Sequence, residues 1–130
     1  MMIIGIGTDI VDIDRIEHSL AEFGDRFRER IFTSGEIAYS ESYVRSGERY
    51  AARFAAKEAA RKAFGSCGPI SGIGWLDIEV VTIAGGAPQL RFHGVAAELG
   101  DRYGVTKCHV SLSHATKQAT AFVILEGEVR

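Results

Sequence analysis

The stretch from Arg45 to Gly65 constrains the fold of this chain more than any other. Its centre, Phe54-Ala-Ala-Lys-Glu-Ala-Ala-Arg-Lys-Ala63, consists almost entirely of strong helix formers, and Gly65 follows as a C-terminal stop. A helix over residues 48–64 is predicted, with Phe54, Ala55, Ala59 and Ala63 apolar or small enough to pack. Basic residues recur at every fourth position, at Arg45, Arg49, Arg53, Lys57 and Arg61, with Lys62 beside the last. In a continuous helix they form one slanting ridge. Six cations less two anions, Glu48 and Glu58, leave +4 between Arg45 and Lys62, in a chain of net charge −2. Either this is a solvated face, with Glu58 and Lys62 as an i,i+4 pair worth about 0.3 kcal/mol, or it is a polyanion site around a metal-binding carboxylate. Glu58 and Lys62 point to one side. The second reading needs another carboxylate from elsewhere, and Asp9 is the candidate.

With 130 residues, 46% of them hydrophobic, the chain fits one domain spanning residues 1–130. The near-neutral charge disfavours coating of nucleic acid or membrane, so a polyanion has to be small or locally held. Cys67 and Cys108 have neither the count nor the spacing of a disulfide scaffold or zinc site, which fits a reduced cytoplasmic setting. The apolar start lacks a basic leader and soon meets Asp9, Asp12 and Asp14, unlike a signal peptide or a membrane span.

Residues 3–13 read as a buried strand, with Gly5 and Gly7 where another element approaches the backbone. Asp14 with Glu17, and Thr33 with Glu36, have the spacing of capping boxes opening two helices, the first closed by Gly24 and the second running toward Arg45. After a glycine-rich loop over residues 65–74, a strand at 76–83 and a partner at 89–93 form a hairpin. A helix at 95–103 and strands at 107–113 and 119–125 complete the chain. Helices gather in the first half and strands in the second. An α+β fold follows, a mostly antiparallel sheet packed on the long helix.

Magnesium takes oxygen ligands, usually one or two carboxylates completed by water and phosphate oxygens. Asp9 at a strand end and Glu58 on a helix meet that need. Lys62, one turn beyond Glu58, can reach a phosphate on the same metal, and the forked donors of Arg49 and Arg53 can clamp another. That layout suits a ligand with several phosphates and the charge neutralisation that phosphoryl transfer needs.

Three blocks occur in this order: Gly5-Ile-Gly-Thr-Asp-Ile-Val-Asp-Ile13 with Arg15-Ile16, Arg53-Phe-Ala-Ala-Lys-Glu-Ala59 with Lys62-Ala63, and His109-Val-Ser-Leu-Ser-His114. Together they resemble the small, bacterial-type 4′-phosphopantetheinyl transferases, the holo-[acyl-carrier-protein] synthases, over nearly the whole chain. The resemblance implies the 4′-phosphopantetheinyl transferase fold and Mg2+-dependent transfer of 4′-phosphopantetheine from coenzyme A to a serine of apo acyl carrier protein, releasing adenosine 3′,5′-bisphosphate. It implies Asp9 and Glu58 as metal ligands, Lys62 as the diphosphate contact and Arg53 as the contact to the 3′-phosphate. Gly65, Pro88 and His114 belong to the implied coenzyme A wall. Glu58, directly or through a water, is the expected base.

The resemblance also implies docking of an acidic carrier protein on a basic first-helix surface, for which Arg15, Arg26, Phe27 and Phe54 are the matching residues, and a homotrimer with active sites between subunits. Two departures stand out: Gly65-Ser-Cys-Gly-Pro-Ile70 replaces a shorter Gly-Thr-Gly-Ile turn, and Ala87 precedes Pro88 where many relatives carry lysine. The competing reading is a non-catalytic module that binds coenzyme A or an acidic carrier protein, needing neither Asp9 nor metal.

Overall fold

In a computed structural model, which describes residues 1–128, the chain begins with strand β1 (Met2–Asp12) and helices α1 (Ile13–Phe23), α2 (Asp25–Ile31), α3 (Ser34–Glu41) and α4 (Ser46–Gly65). A 3-10 turn (Trp75–Asp77), the hairpin β2 (Ile78–Thr82) and β3 (Pro88–Phe92), helix α5 (Gly94–Tyr103), and strands β4 (Val105–His114) and β5 (Gln118–Gly127) follow. All strand pairs are antiparallel, in a three-stranded sheet of order β1-β5-β4 and the separate two-stranded hairpin. Helix α4 lies across the larger sheet as its alanine stripe requires: Ala51, Ala55, Ala56, Ala59, Ala60 and Ala63 are all fully buried.

Two glycines set how closely sheet and helix approach. A Cβ added at Gly5 would overlap the carbonyl oxygen of Ala63, and one at Gly7 that of Ala59. β1 therefore runs antiparallel to α4 in backbone contact.

The expected buried strand at residues 3–13 is buried on one face only. Gly5, Gly7 and Val11 turn inward, whereas Ile3, Ile6 and Ile10 are each more than half exposed. Phe122 of β5 shares that outer face, opposite Thr8, leaving an apolar strip across the sheet.

The capping boxes part company. Thr33 and Glu36 exchange both bonds, Glu36 N to Thr33 Oγ1 at 3.2 Å and Thr33 N to Glu36 Oε1 at 2.8 Å, but α3 ends at Glu41 instead of reaching Arg45. The Asp14–Glu17 box does not form. α1 starts two residues earlier than that spacing implies, with Asp12 as an N-cap whose side chain caps nothing, and the Glu17 carboxylate lies where a Cβ on Gly47 would go. Helix α2 was not expected. Gly24 ends α1 at positive φ and a new helix begins at once, its Ile31 buried with Phe32 behind it. Both cysteines are free thiols, and burial pushes that of Cys108 up to about 12.

Candidate active site

The basic ridge of α4 does not exist as one surface. Lys57 is fully buried: its ammonium meets Glu36 Oε1 at 2.8 Å and donates to the carbonyls of Ile78 at 2.5 Å and Trp75 at 3.0 Å. Burial draws the Lys57 pKa down, and Glu36 opposes that shift. The other Glu36 oxygen accepts from Val80 N at 2.8 Å, so one buried ion pair locks α3, α4 and β2 together. Arg61 donates to Ile73 O at 2.8 Å. Two of the five ridge cations are thus committed to holding the fold.

On the flank of α4 that faces β1, Lys62 donates to Asp9 Oδ1 at 3.1 Å and to Thr8 O at 3.0 Å. The i,i+4 pair between Glu58 and Lys62 is absent; Glu58 instead lies 3.8 Å from Arg61 Nε. Because Gly7 brings β1 down onto Ala59, Lys62 finds a better-aligned acceptor across the strand than along its own helix. Gly65, the last residue of α4, is exposed, and the Ser66 hydroxyl beside it donates to Ile6 O at 3.4 Å. Among the described residues no group of three or more His, Cys, Asp or Glu could hold a metal. Asp9 and Glu58 offer two partly exposed carboxylates, and Lys62 engages only one oxygen of Asp9. This all-oxygen pair fits magnesium, which takes its remaining ligands from water and phosphate.

The opposite flank is built differently. Arg49, Arg53, Pro88 and His114 converge on one cleft of about 170 Å³, together with Tyr39 and Thr82, which sequence reasoning missed. The Arg53 guanidinium stacks 4.1 Å over the Tyr39 ring and donates to Thr82 Oγ1 at 3.0 Å, and its Nε is buried without a partner. Only 4% of Arg53 is exposed, and burial draws its pKa down. Arg49 stacks 4.1 Å over Tyr43, whose hydroxyl donates to that of Tyr39 at 3.3 Å. Tyr39 is held below its usual range, first by that hydrogen bond and further by Thr82, Arg53 and Arg49, against burial. A buried cation with no carboxylate against it is a place for an anion. Nothing in the spacing of Tyr39 or Thr82 could have marked them, because they reach Arg53 only through tertiary packing.

The two flanks lie on opposite sides of one helix. Lys62 follows Arg53 by nine positions (62 − 53), and at about 100° per residue that is half a revolution. They also lie at opposite edges of the sheet, Asp9 on β1 and His114 on β4, with β5 between them. Two strand spacings make that roughly 10 Å.

Among the residues expected to dock a partner, Arg26 and Phe27 line a shallow pocket of about 310 Å³ with Ser19, Phe23 and Arg30. Arg15 is exposed on α1. Phe54 stacks on Trp75, with centroids 5.0 Å apart.

Residues 5–123 match the family described as the 4′-phosphopantetheinyl transferase superfamily. The holo-[acyl-carrier-protein] synthase of Koribacter versatilis is 50% identical over 125 residues, covering 96% of this chain and 99% of that protein. Among solved structures, the holo-[acyl-carrier-protein] synthase of Neisseria meningitidis superposes with a TM-score of 0.85 at 33% identity, covering 96% of this chain and 99% of that one. The synthase of Bacillus anthracis in complex with coenzyme A (3′,5′-ADP) does so with a TM-score of 0.77 at 38% identity, covering 98% and 100%. The chain belongs to the 4′-phosphopantetheinyl transferase superfamily and is an enzyme of its holo-[acyl-carrier-protein] synthase group.

Proposed function

We propose that this protein transfers 4′-phosphopantetheine from coenzyme A to a serine of apo acyl carrier protein, as a magnesium-dependent cytoplasmic homotrimer of 130-residue transferase domains with each active site between two copies. The separation of the two flanks carries this reading. No single chain presents Arg53 and Lys62 to one ligand, whereas a neighbouring copy can set its β1 flank against the cleft of the first. Such a head-to-tail contact closes into a trimeric ring when each copy is turned by about a third of a revolution from the last. The exposed strip of Ile3, Ile6, Ile10 and Phe122 supplies apolar surface for it.

In the complete site, Arg49, Arg53 and His114 of one copy bind the nucleotide end, the 3′-phosphate falling to Arg53, with Pro88 in the wall. Lys62 of the next copy contacts the diphosphate, near Gly65. Asp9 and Glu58 hold magnesium, which neutralises charge developing on the diphosphate. The serine Oγ attacks the phosphorus bearing the pantetheine arm. The new Ser O–P bond forms as the P–O bond to the other phosphate breaks, and adenosine 3′,5′-bisphosphate leaves with that electron pair. Glu58 takes the serine proton, directly or through a water. The acidic carrier docks on α1 and α2, where Arg26 and Phe27 offer charge beside an apolar rim and Arg15 extends the basic surface, with Phe54 of α4 as a further apolar contact.

The test is the intact mass of an apo acyl carrier protein after incubation with this protein and coenzyme A, with magnesium or with excess chelator. A phosphopantetheine-sized gain with metal only is expected. No gain across several carrier proteins, with coenzyme A still bound, would point to a non-catalytic binding module instead.

A further inference from the structure

Glu48 is a carboxylate where a site for anions should not have one. It sits in the first turn of α4 beside Arg49, its side chain only 14% exposed, at the edge of the cleft that holds Arg53. Its two oxygens have separate partners: Oε1 accepts from Arg45 Nη1 at 3.2 Å, and Oε2 lies 3.1 Å from Nδ1 of His114. His114 is the last residue of β4 and lines the cleft. With Nδ1 facing Glu48 at ion-pair distance, Nε2 is the ring nitrogen left for a ligand, and a charged neighbour on one nitrogen biases the orientation of the ring.

We propose that Glu48 is a positioning residue: it holds His114 so that Nε2 is presented to a phosphate of the substrate in the Arg49–Arg53 cleft. This rests on the reading of that cleft as the nucleotide end of the coenzyme A site. Glu48 does not touch substrate. Screened behind the imidazole and paired with Arg45, its negative charge is kept off the ligand. The arrangement explains why one anion is retained inside a segment of net charge +4.

A rival explanation is structural, since a carboxylate in the first turn of a helix favours the helix dipole with no reference to the cleft. Steady-state kinetics with saturating carrier protein separate the two. The variants are Glu48→Ala, Glu48→Gln, His114→Ala and the double variant Glu48→Ala/His114→Ala. Loss of the contact that orients His114 should raise the KM for coenzyme A about fivefold to tenfold in Glu48→Ala, with kcat within about twofold. Glu48→Gln keeps an oxygen facing Nδ1 and should restore KM to within about twofold of wild type, whereas a dipole role would leave it as impaired as alanine. The double variant should be no worse than His114→Ala, because both changes remove one interaction. An unchanged KM in Glu48→Ala beside a raised one in His114→Ala would overturn the proposal alone, as would effects that multiply in the double variant. An unchanged KM in His114→Ala would overturn the cleft reading beneath it.

Discussion

Arg53 and Lys62 stand on one helix yet live in different physical settings. Around Arg53 the charge is buried, stacked on Tyr39 and left without a carboxylate, so that its Nε has no partner at all. Around Lys62 the charges are partly exposed and already paired, Lys62 with Asp9 and Glu58 with Arg61. The first flank stores an unmet demand for an anion. The second holds a balanced set in which, on the proposed reading, Asp9 and Glu58 would hold magnesium and Lys62 would contact a phosphate. If the proposed reading holds, a preorganised half and a paired half make binding and chemistry separable, and substitutions should separate them.

The largest effect is expected where β1 meets α4. Gly7→Ala forces the strand away from Ala59 O, which is backbone and cannot yield, so we expect a loss of several kcal/mol, about the range for overpacked cores, and little folded protein. Thermal unfolding and soluble yield check this. A folded, active Gly7→Ala would break the comparison at its root, since the paired flank would then not depend on that contact.

Next come substitutions that distinguish the flanks within a folded protein. Lys62→Ala or Asp9→Asn should lower kcat by about 100-fold to 1000-fold with a smaller change in the KM for coenzyme A. Arg53→Met should do the reverse, raising KM by about tenfold or more while leaving melting temperature unchanged or higher, because a buried cation without a counter-charge is replaced by an apolar chain of similar length. Intermediate kinetics in both would mean that the division of labour is wrong. Equally, a large fall in melting temperature for Arg53→Met would show that its stack on Tyr39 stabilises more than its burial costs.

Assembly is the third lever. Ile3→Glu places a charge within the outer apolar strip, and sedimentation should show the oligomer dissociating, with activity lost although neither the Arg53 cleft nor the Asp9–Lys62 pair has been altered. A fully active monomer would remove the reason for treating the flanks as parts of a shared site.

The sequence made parts of this legible for definite reasons. The long helix and its stop, the Thr33–Glu36 cap, the hairpin and the two final strands rest on local chemistry, and each appears within a few residues of its expected span. The glycines at 5 and 7 announce a close approach to β1, but helical spacing puts Lys62 with Glu58, and the pair it makes with Asp9 appears only in three dimensions. The ridge misled because a four-residue repeat drifts around a helix by about 40° per step, carrying Lys57 into the core toward Glu36, a partner visible only in three dimensions. Helix α2 had no recognisable cap, since a glycine at positive φ both ends α1 and precedes Asp25. The split of the site was implicit in nine residues of helix, but the sheet order that places β1 and β4 at opposite edges was not.

The smallest expected effect concerns α3, which carries Tyr39 into the preorganised cleft. Glu41 at its C-terminus accepts from Tyr50 Oη at 2.6 Å and from Arg28 Nε at 3.0 Å. The Tyr50 bond first, and Arg28 with it, hold this carboxyl below its ordinary value of 4.5 against the opposing effect of burial. A carboxyl whose folded pKa is depressed adds stability that is present above its unfolded pKa and lost as pH falls through the folded one. Glu41→Gln should therefore lower the urea midpoint slightly at about pH 7, and the gap to wild type should close on acidification below the ordinary carboxylate range. The side chain is 44% exposed, so solvent screens it and the shift is expected to be small. A gap that stayed constant down to low pH would assign the loss to packing instead of charge.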